Sequence, residues 1–195
     1  MKILGLTGKT GAGKSTITKI LSENDCFVID ADIVAREILC DSDEVLKKLS
    51  ETFGNEILDQ NGELIRSELA KRAFETQTQT DKLNAITHPA IVQNIKLKLD
   101  KALQLGYAAC VIDAAVLLEC ELKDICDFII VVHSPELVRL ERIMLRDKIS
   151  KDQALLRINA QKSDEYYMEN ADILVNNFEP HKLDEQIKKI LKVIT

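Results

Sequence analysis

The chain has 195 residues, 46% of them hydrophobic and 30% charged, the balance of a packed globular protein and not of a disordered one. A formal charge of −6 argues against a general grip on nucleic-acid backbones, and 4% aromatic content without Trp argues against a base-stacking platform. Five cysteines with no C-x-x-C pair, no secretory leader and no apolar run of the roughly 20 residues that span a bilayer predict a soluble, cytoplasmic protein with reduced thiols.

"KILGLT" (Lys2–Thr7) is an apolar run that meets glycines, the pattern of a buried parallel strand. From Ser15 onward Ile17, Ile20 and Leu21 share one face and predict a helix. "CFVID" (Cys26–Asp30) reads as a second buried strand, and "DIVAREIL" carries Ile33, Val34, Ile38 and Leu39 at helical spacing. Strand, glycine loop, helix, strand and helix in that order predict an α/β fold with a parallel sheet. Between Asp43 and about Gly106 the periodicity is helical nearly throughout, broken at "FGNEILDQNGELI". There a helix is expected to stop before Pro89 and a second, long one to run on to Gly106. The sheet resumes with "YAACVIDA" and "DFIIVVH". Ser134 is expected to cap the next helix with Pro135 in its first position, and another helix follows Ser150. "ADILVNN" forms a last short strand before an amphipathic terminal helix.

Gly8-Lys9-Thr10-Gly11-Ala12-Gly13-Lys14-Ser15 fits G-x-x-x-x-G-K-[ST] at every position, after a predicted strand and at the head of a predicted helix. Glycines let successive N–H groups turn inward as an anion nest, lysine adds a cation for the β- and γ-phosphates, and the Ser15 hydroxyl is a hard oxygen ligand suited to Mg²⁺. Lys9 is expected to be solvated. Two acids, Asp30 and Asp32, fall at the carboxyl end of the second strand, where ligands of open α/β sheets bind. Either could take a proton from an attacking hydroxyl, and either could instead cap the following helix. Arg36 lies one turn beyond Asp32, and Asp113 ends an apolar strand where an acid near the Mg²⁺ shell is expected. Arg139, Arg142 and Arg146 repeat at i, i+3 and i+7. Such a row either stabilises a transferring phosphoryl from a closing segment or forms a solvated basic face. "DQNG" matches the D-x-x-G of GTPase switches, but no N-K-x-D follows, so a turn is the better reading.

With these residues in view the sequence resembles the dephospho-CoA kinase family. "GLTGKTGAGKST", "VIDADIVAREIL", "NGELIRSELAKRAF", "HPAI", "VIDAAVLLE", "RLERIMLRD", "RINAQ" and "ADILVNN" occur in the family's order and cover nearly the whole chain. The resemblance implies a three-layer P-loop fold, with a core over about 1–40 and 107–195, a helical acceptor-binding insertion over about 41–106 and a lid over about 139–162. It implies transfer of the γ-phosphoryl of ATP to the ribose 3′-hydroxyl of dephospho-CoA, with Mg²⁺. Small molecules would be its only evident partners, with no nucleic acid, membrane or obligate protein partner. ATP would be held by Lys14, by Gly8, Thr10, Gly11, Ala12, Gly13, Ser15 and Thr16 of the loop, and by Asn177 near the adenine. Ser15 and Asp113 would serve the metal, and Asp30, Asp32, Arg36, Arg66 and His88 the acceptor. Lys14, Arg142, Arg146 and Asp32, the last as general base, would be the catalytic set. Lys9 stands where the family pattern has a second glycine, Ala115 where it has a proline, and Glu179 where it has a glycine. Alternatives from the residues alone are a nucleoside monophosphate, shikimate or gluconate kinase of the same fold, or an ATP-binding regulator without turnover.

Overall fold

A computed structural model describes residues 1–194. Five parallel strands, β1 (Lys2–Gly8), β2 (Cys26–Asp30), β3 (Ala109–Asp113), β4 (Phe128–His133) and β5 (Ile173–Asn176), form one sheet in the order β2-β3-β1-β4-β5. The central strands are buried on both faces, which is why their sequences are continuous apolar runs without alternation. Leu4, Leu6, Val111, Ile130 and Val175 pack on one face against Ile17 and Leu21 of α1 (Lys14–Glu23) and Ile187 and Ile190 of α9 (Pro180–Ile194). Val131 on the opposite face meets Leu118 and Tyr167, the latter from α8 (Asp164–Glu169). Helices therefore cover both sides of the sheet, a three-layer α/β arrangement.

The remaining helices are α2 (Ala31–Asp41), α3 (Asp43–Phe53), α4 (Arg66–Ala73), α5 (Gln77–Gln104), α6 (Glu136–Asp147) and α7 (Lys151–Asn159). Contacts group the chain into two compact units, 1–30 with 99–195, and 31–98. In this grouping α2 falls with the helical unit and the end of α5, from Leu99, with the sheet residues. The helical unit has its own core of Val45, Leu49, Phe53, Ile57, Leu69 and Ala73. "DQNG" is a turn: Gly62 N–H donates to the Asp59 carbonyl at 3.1 Å, and Asp59 Oδ1 accepts from the amides of Asn61 and Glu63. Among the described residues no helix is long and apolar enough to cross a membrane.

Two expectations need correction. Pro89 does not break the chain into two helices but lies inside α5, and His88 is therefore mid-helix. Proline removes only one intrahelical bond, and Leu83, Ile86 and Ala90 on either side of it pack against the core of the helical unit. Ser134 does not cap α6, which has Pro135 at its N-cap position and no side-chain cap. The Ser134 hydroxyl is fully buried and lies 3.1 Å from the Ala12 carbonyl and 3.0 Å from that of Asn177. Ser150, by contrast, caps α7 in a reciprocal box with Gln153.

Candidate functional site

β1 ends at Gly8 and α1 begins at Lys14, so the loop between them lies at the carboxyl edge of the sheet and at a helix N-terminus. Gly11 and Gly13 have φ of 78° and 92°, angles that L side chains rarely adopt. A Cβ on Gly13 would also overlap the Asn177 side-chain amide. Three loop amides are already used: Thr10 N–H donates to Gln161 Oε1 at 2.8 Å, Ala12 N–H to the Lys9 carbonyl, and Thr16 N–H to the Gly13 carbonyl. Those of Gly11, Gly13, Lys14 and Ser15 donate to no acceptor among the described residues and make up the nest.

Around the nest stand an ion pair and a hydroxyl. The Lys14 ammonium meets Asp113 Oδ1, and Thr18 Oγ1 donates to Asp113 Oδ2 at 2.6 Å. The Asp113 side chain is only 8% exposed, so both of its oxygens need such partners. Asp30 is the register neighbour of Asp113 across β2 and β3, which sets two carboxylates side by side at the edge where the loop lies. Among the described residues no group of three or more His, Cys, Asp and Glu side chains could hold a metal by itself. Ser15 is exposed on the first turn of α1. A hydroxyl and one nearby carboxylate suit Mg²⁺, which keeps several waters and takes most of its remaining oxygens from phosphate.

The arginine row of α6 does three different things. Arg139 is 1% exposed; its Nε donates to the Ser134 carbonyl at 3.0 Å and its Nη2 lies 3.4 Å from Asp164 Oδ1. Arg142 brackets the loop, with Nη1 donating to the Gly11 and Ala12 carbonyls and Nη2 to the Asn177 carbonyl at 2.8 Å. Arg146, 62% exposed, forks onto Asp147, which also holds Arg157 of α7. The bond from Arg146 and the two positive charges keep the Asp147 carboxyl below its usual range. Asn177 Nδ2 donates to the Ala12 carbonyl at 2.9 Å, so this residue fixes the loop from below. Lys9 is not solvated: its side chain is 11% exposed and pairs with Asp164 at 3.0 Å.

In the helical unit Arg36 is exposed on α2, Arg66 opens α4, and His88 is half-buried on α5. Arg66 is tied to the end of α2 by Nη2 donating to Cys40 Sγ at 3.0 Å. Asp32 lies inside the first turn of α2, which starts at Ala31, and so does not cap it. Sequence reasoning missed Thr18, Gln161 and Asp164. Thr18 had a signal, its i+4 spacing from Lys14 on a helix; the other two meet the loop only through the fold.

The family model described as dephospho-CoA kinase matches residues 2–182. A dephospho-CoA kinase from Carboxydothermus hydrogenoformans is 37% identical over 91% of this chain and 86% of its own length. A crystal structure of a Thermus thermophilus protein superposes with a TM-score of 0.85 at 25% identity, covering 100% of this chain and 98% of that one. A dephospho-CoA kinase from Campylobacter jejuni does so with a TM-score of 0.64 at 23% identity, covering 100% and 97%.

Proposed function

The chain belongs to the dephospho-CoA kinase family, which makes it an ATP-dependent kinase acting on dephospho-CoA in coenzyme A synthesis, and we propose how its residues divide that work. The observation that carries the assignment is the nest of Gly11, Gly13, Lys14 and Ser15 amides, with Lys14 and Asp113 beside it, at the carboxyl edge of a parallel sheet. Such a nest fits the β- and γ-phosphates of ATP, and Lys14 exchanges Asp113 for them when the nucleotide enters. Mg²⁺ arriving with ATP would be held by the Ser15 hydroxyl and, through water, by Asp113, and supplies positive charge to the phosphates.

The acceptor atom is the ribose 3′-hydroxyl. Asp32, exposed two residues beyond the end of β2, takes its proton as the oxygen attacks the γ-phosphorus and the bond to the β–γ bridging oxygen breaks, releasing ADP. Asp30, Arg36, Arg66 and His88 bind the acceptor, Arg66 and Arg36 through its anionic groups. Arg146, the exposed arginine of α6, reaches the transferring phosphoryl as the α6–α7 hairpin closes as a lid, while Arg142 acts by shaping the loop. Asn177 supports the adenine end of the site. A cytoplasmic address is supported by five cysteines that are all free thiols.

The testing experiment is ADP release with Mg²⁺-ATP, comparing dephospho-CoA with AMP, shikimate and gluconate. ADP with dephospho-CoA alone, matched by an equal amount of coenzyme A, is the expected result. ADP with another acceptor only would overturn the substrate and leave the phosphate chemistry standing.

A further inference from the structure

Lys9 turns into the protein, where Asp164 Oδ1 stands 3.0 Å from its ammonium and 3.4 Å from Arg139 Nη2. One carboxylate thus neutralises two nearly buried cations, one from the loop and one from α6, and among the described residues neither cation has another acidic partner. His133, Ser134, Tyr167 and Met168 close a cavity of about 10 Å³ around the three charges, room for a single water-sized molecule. The pairing is therefore screened far less than a surface ion pair, and losing it leaves a charge in a poor environment.

A second contact comes from the same stretch of chain. Gln161 Oε1 accepts from Thr10 N–H at 2.8 Å, so the stretch that follows α7 and enters α8 holds two successive loop residues, Lys9 by the charge of Asp164 and Thr10 through its backbone. From α6, Arg142 holds the carbonyls of the next two, Gly11 and Ala12. The α6–α7 hairpin has a core of its own in Leu140, Ile143, Ala154 and Ile158, so it behaves as one piece. Arg142 within that piece, and Gln161 and Asp164 just beyond its end, grip the outer stretch of the loop.

We propose that Lys9, Asp164 and Gln161 form a latch that sets the shape of the phosphate loop and makes it depend on the stretch from the end of the α6–α7 hairpin into α8, with Lys9 and Asp164 as positioning residues. The inference rests on the reading that this loop holds ATP. Neither side chain touches phosphate in that reading. They fix the peptide planes of residues 9 and 10, and so the direction in which the Gly11 amide enters the nest.

The test measures ATP affinity at equilibrium without turnover, alongside KM for each substrate, in wild type, Lys9→Met, Lys9→Arg and Asp164→Asn. Lys9→Met is expected to weaken ATP binding about tenfold, with KM for dephospho-CoA within about twofold of wild type. Lys9→Arg, which keeps the charge, is expected to stay within about threefold. Asp164→Asn should weaken ATP binding less in a Lys9→Met background than in the wild type, because the two act through one contact. Asp164→Asn strands two cations, so if it does not fold, Lys9→Met, which leaves Asp164 with Arg139, decides alone. Unchanged ATP affinity in Lys9→Met overturns the latch. So does a parallel rise in both KM values with a fall in Tm, the mark of a merely structural contact. Wild-type protein that binds ATP yet never phosphorylates dephospho-CoA would sink the proposed reaction while leaving the latch measurable.

Discussion

Thr18 Oγ1 lies 2.6 Å from Asp113 Oδ2, while Oδ1 of the same carboxylate meets the Lys14 ammonium. Thr18 follows Lys14 by one helical turn, so α1 presents both to the end of β3. The hydroxyl has one proton and a second acceptor, the Lys14 carbonyl at 3.0 Å; the shorter approach is to the charged oxygen. In the proposed ATP complex, where Lys14 turns to phosphate, Thr18 would be what holds the carboxylate. A hydrogen bond to a charged group contributes about 1.5–3 kcal/mol. Thr18→Val should therefore lower kcat by about tenfold or more, and Thr18→Ser should restore it. Steady-state kinetics with both substrates check this, and full activity in Thr18→Val would show that Asp113 needs no second anchor.

Gly13 meets two independent obstacles to any side chain. Its φ of 92° is left-handed, and a Cβ would overlap Asn177 Nδ2. Gly13→Ala should weaken ATP binding at least about tenfold, since the left-handed angle alone costs roughly 1–2 kcal/mol. Adding Asn177→Ala removes the overlap but not the angle, so only part of the affinity should return. Complete recovery in the double variant, read by equilibrium titration with ATP, would show that the backbone angle costs nothing there.

Asp30 and Asp32 separate by a simple comparison. Asp30 is half-buried in register with Asp113, while Asp32 is exposed on the first turn of α2. As general base, Asp32 should be the residue whose replacement by Asn lowers kcat by about 10²-fold or more while ATP affinity holds. Asp30→Asn should act more weakly. The reverse order of losses would move the proton transfer to Asp30.

The strands and the phosphate loop were legible because their requirements are local. β2 was readable to the residue, Cys26–Asp30, since its short apolar run stops at the acid that ends the strand. The loop was readable because an anion nest needs glycines and a lysine at fixed spacing. Arg139, Arg142 and Arg146 share a helical spacing, yet Arg139 is 1% and Arg146 62% exposed. Two of the three meet partners supplied from elsewhere, Asp164 of α8 and the loop carbonyls, while Arg146 meets its own neighbour Asp147. Lys9 shows the same limit. Its neighbours in sequence suggest a solvated side chain, and only the docking of α8 beside the loop provides its acid.

Pro89 inside α5 marks a place where propensity and packing disagree. The ring removes the donor that the Ala85 carbonyl would accept, and it is exposed, so little burial offsets the loss. Pro89→Ala should therefore stabilise the protein by about 1–3 kcal/mol, raising Tm by roughly 2–10 °C for a chain of this size. Calorimetry on the two proteins checks it. An unchanged or lower Tm would mean that the ring contributes packing that alanine does not replace.

The cysteines give a prediction whose sign follows from burial. Cys110 is fully buried on β3, and desolvation, helped by the nearby Cys26 and Cys126 thiols, pushes it up to about 12. Cys126 is pushed up to about 12 mainly by burial as well, then by Asp127. Only thiolates are alkylated, so at pH 8 a small electrophile should label exposed Cys40 quickly, and fully buried Cys110 only at the rate of unfolding. In the unfolded chain such thiols titrate near 8.5, so the folded state binds more protons above that pH. Stability from Cys110 is fully present below about pH 8.5 and is lost as pH rises toward about 12, at about 1.4 kcal/mol per pH unit. Urea unfolding at pH 8 and pH 10 should show that loss, and Cys110→Ala should flatten it. An equal slope in the variant would mean that the alkaline loss comes from other groups and that the Cys110 thiol titrates alike in both states.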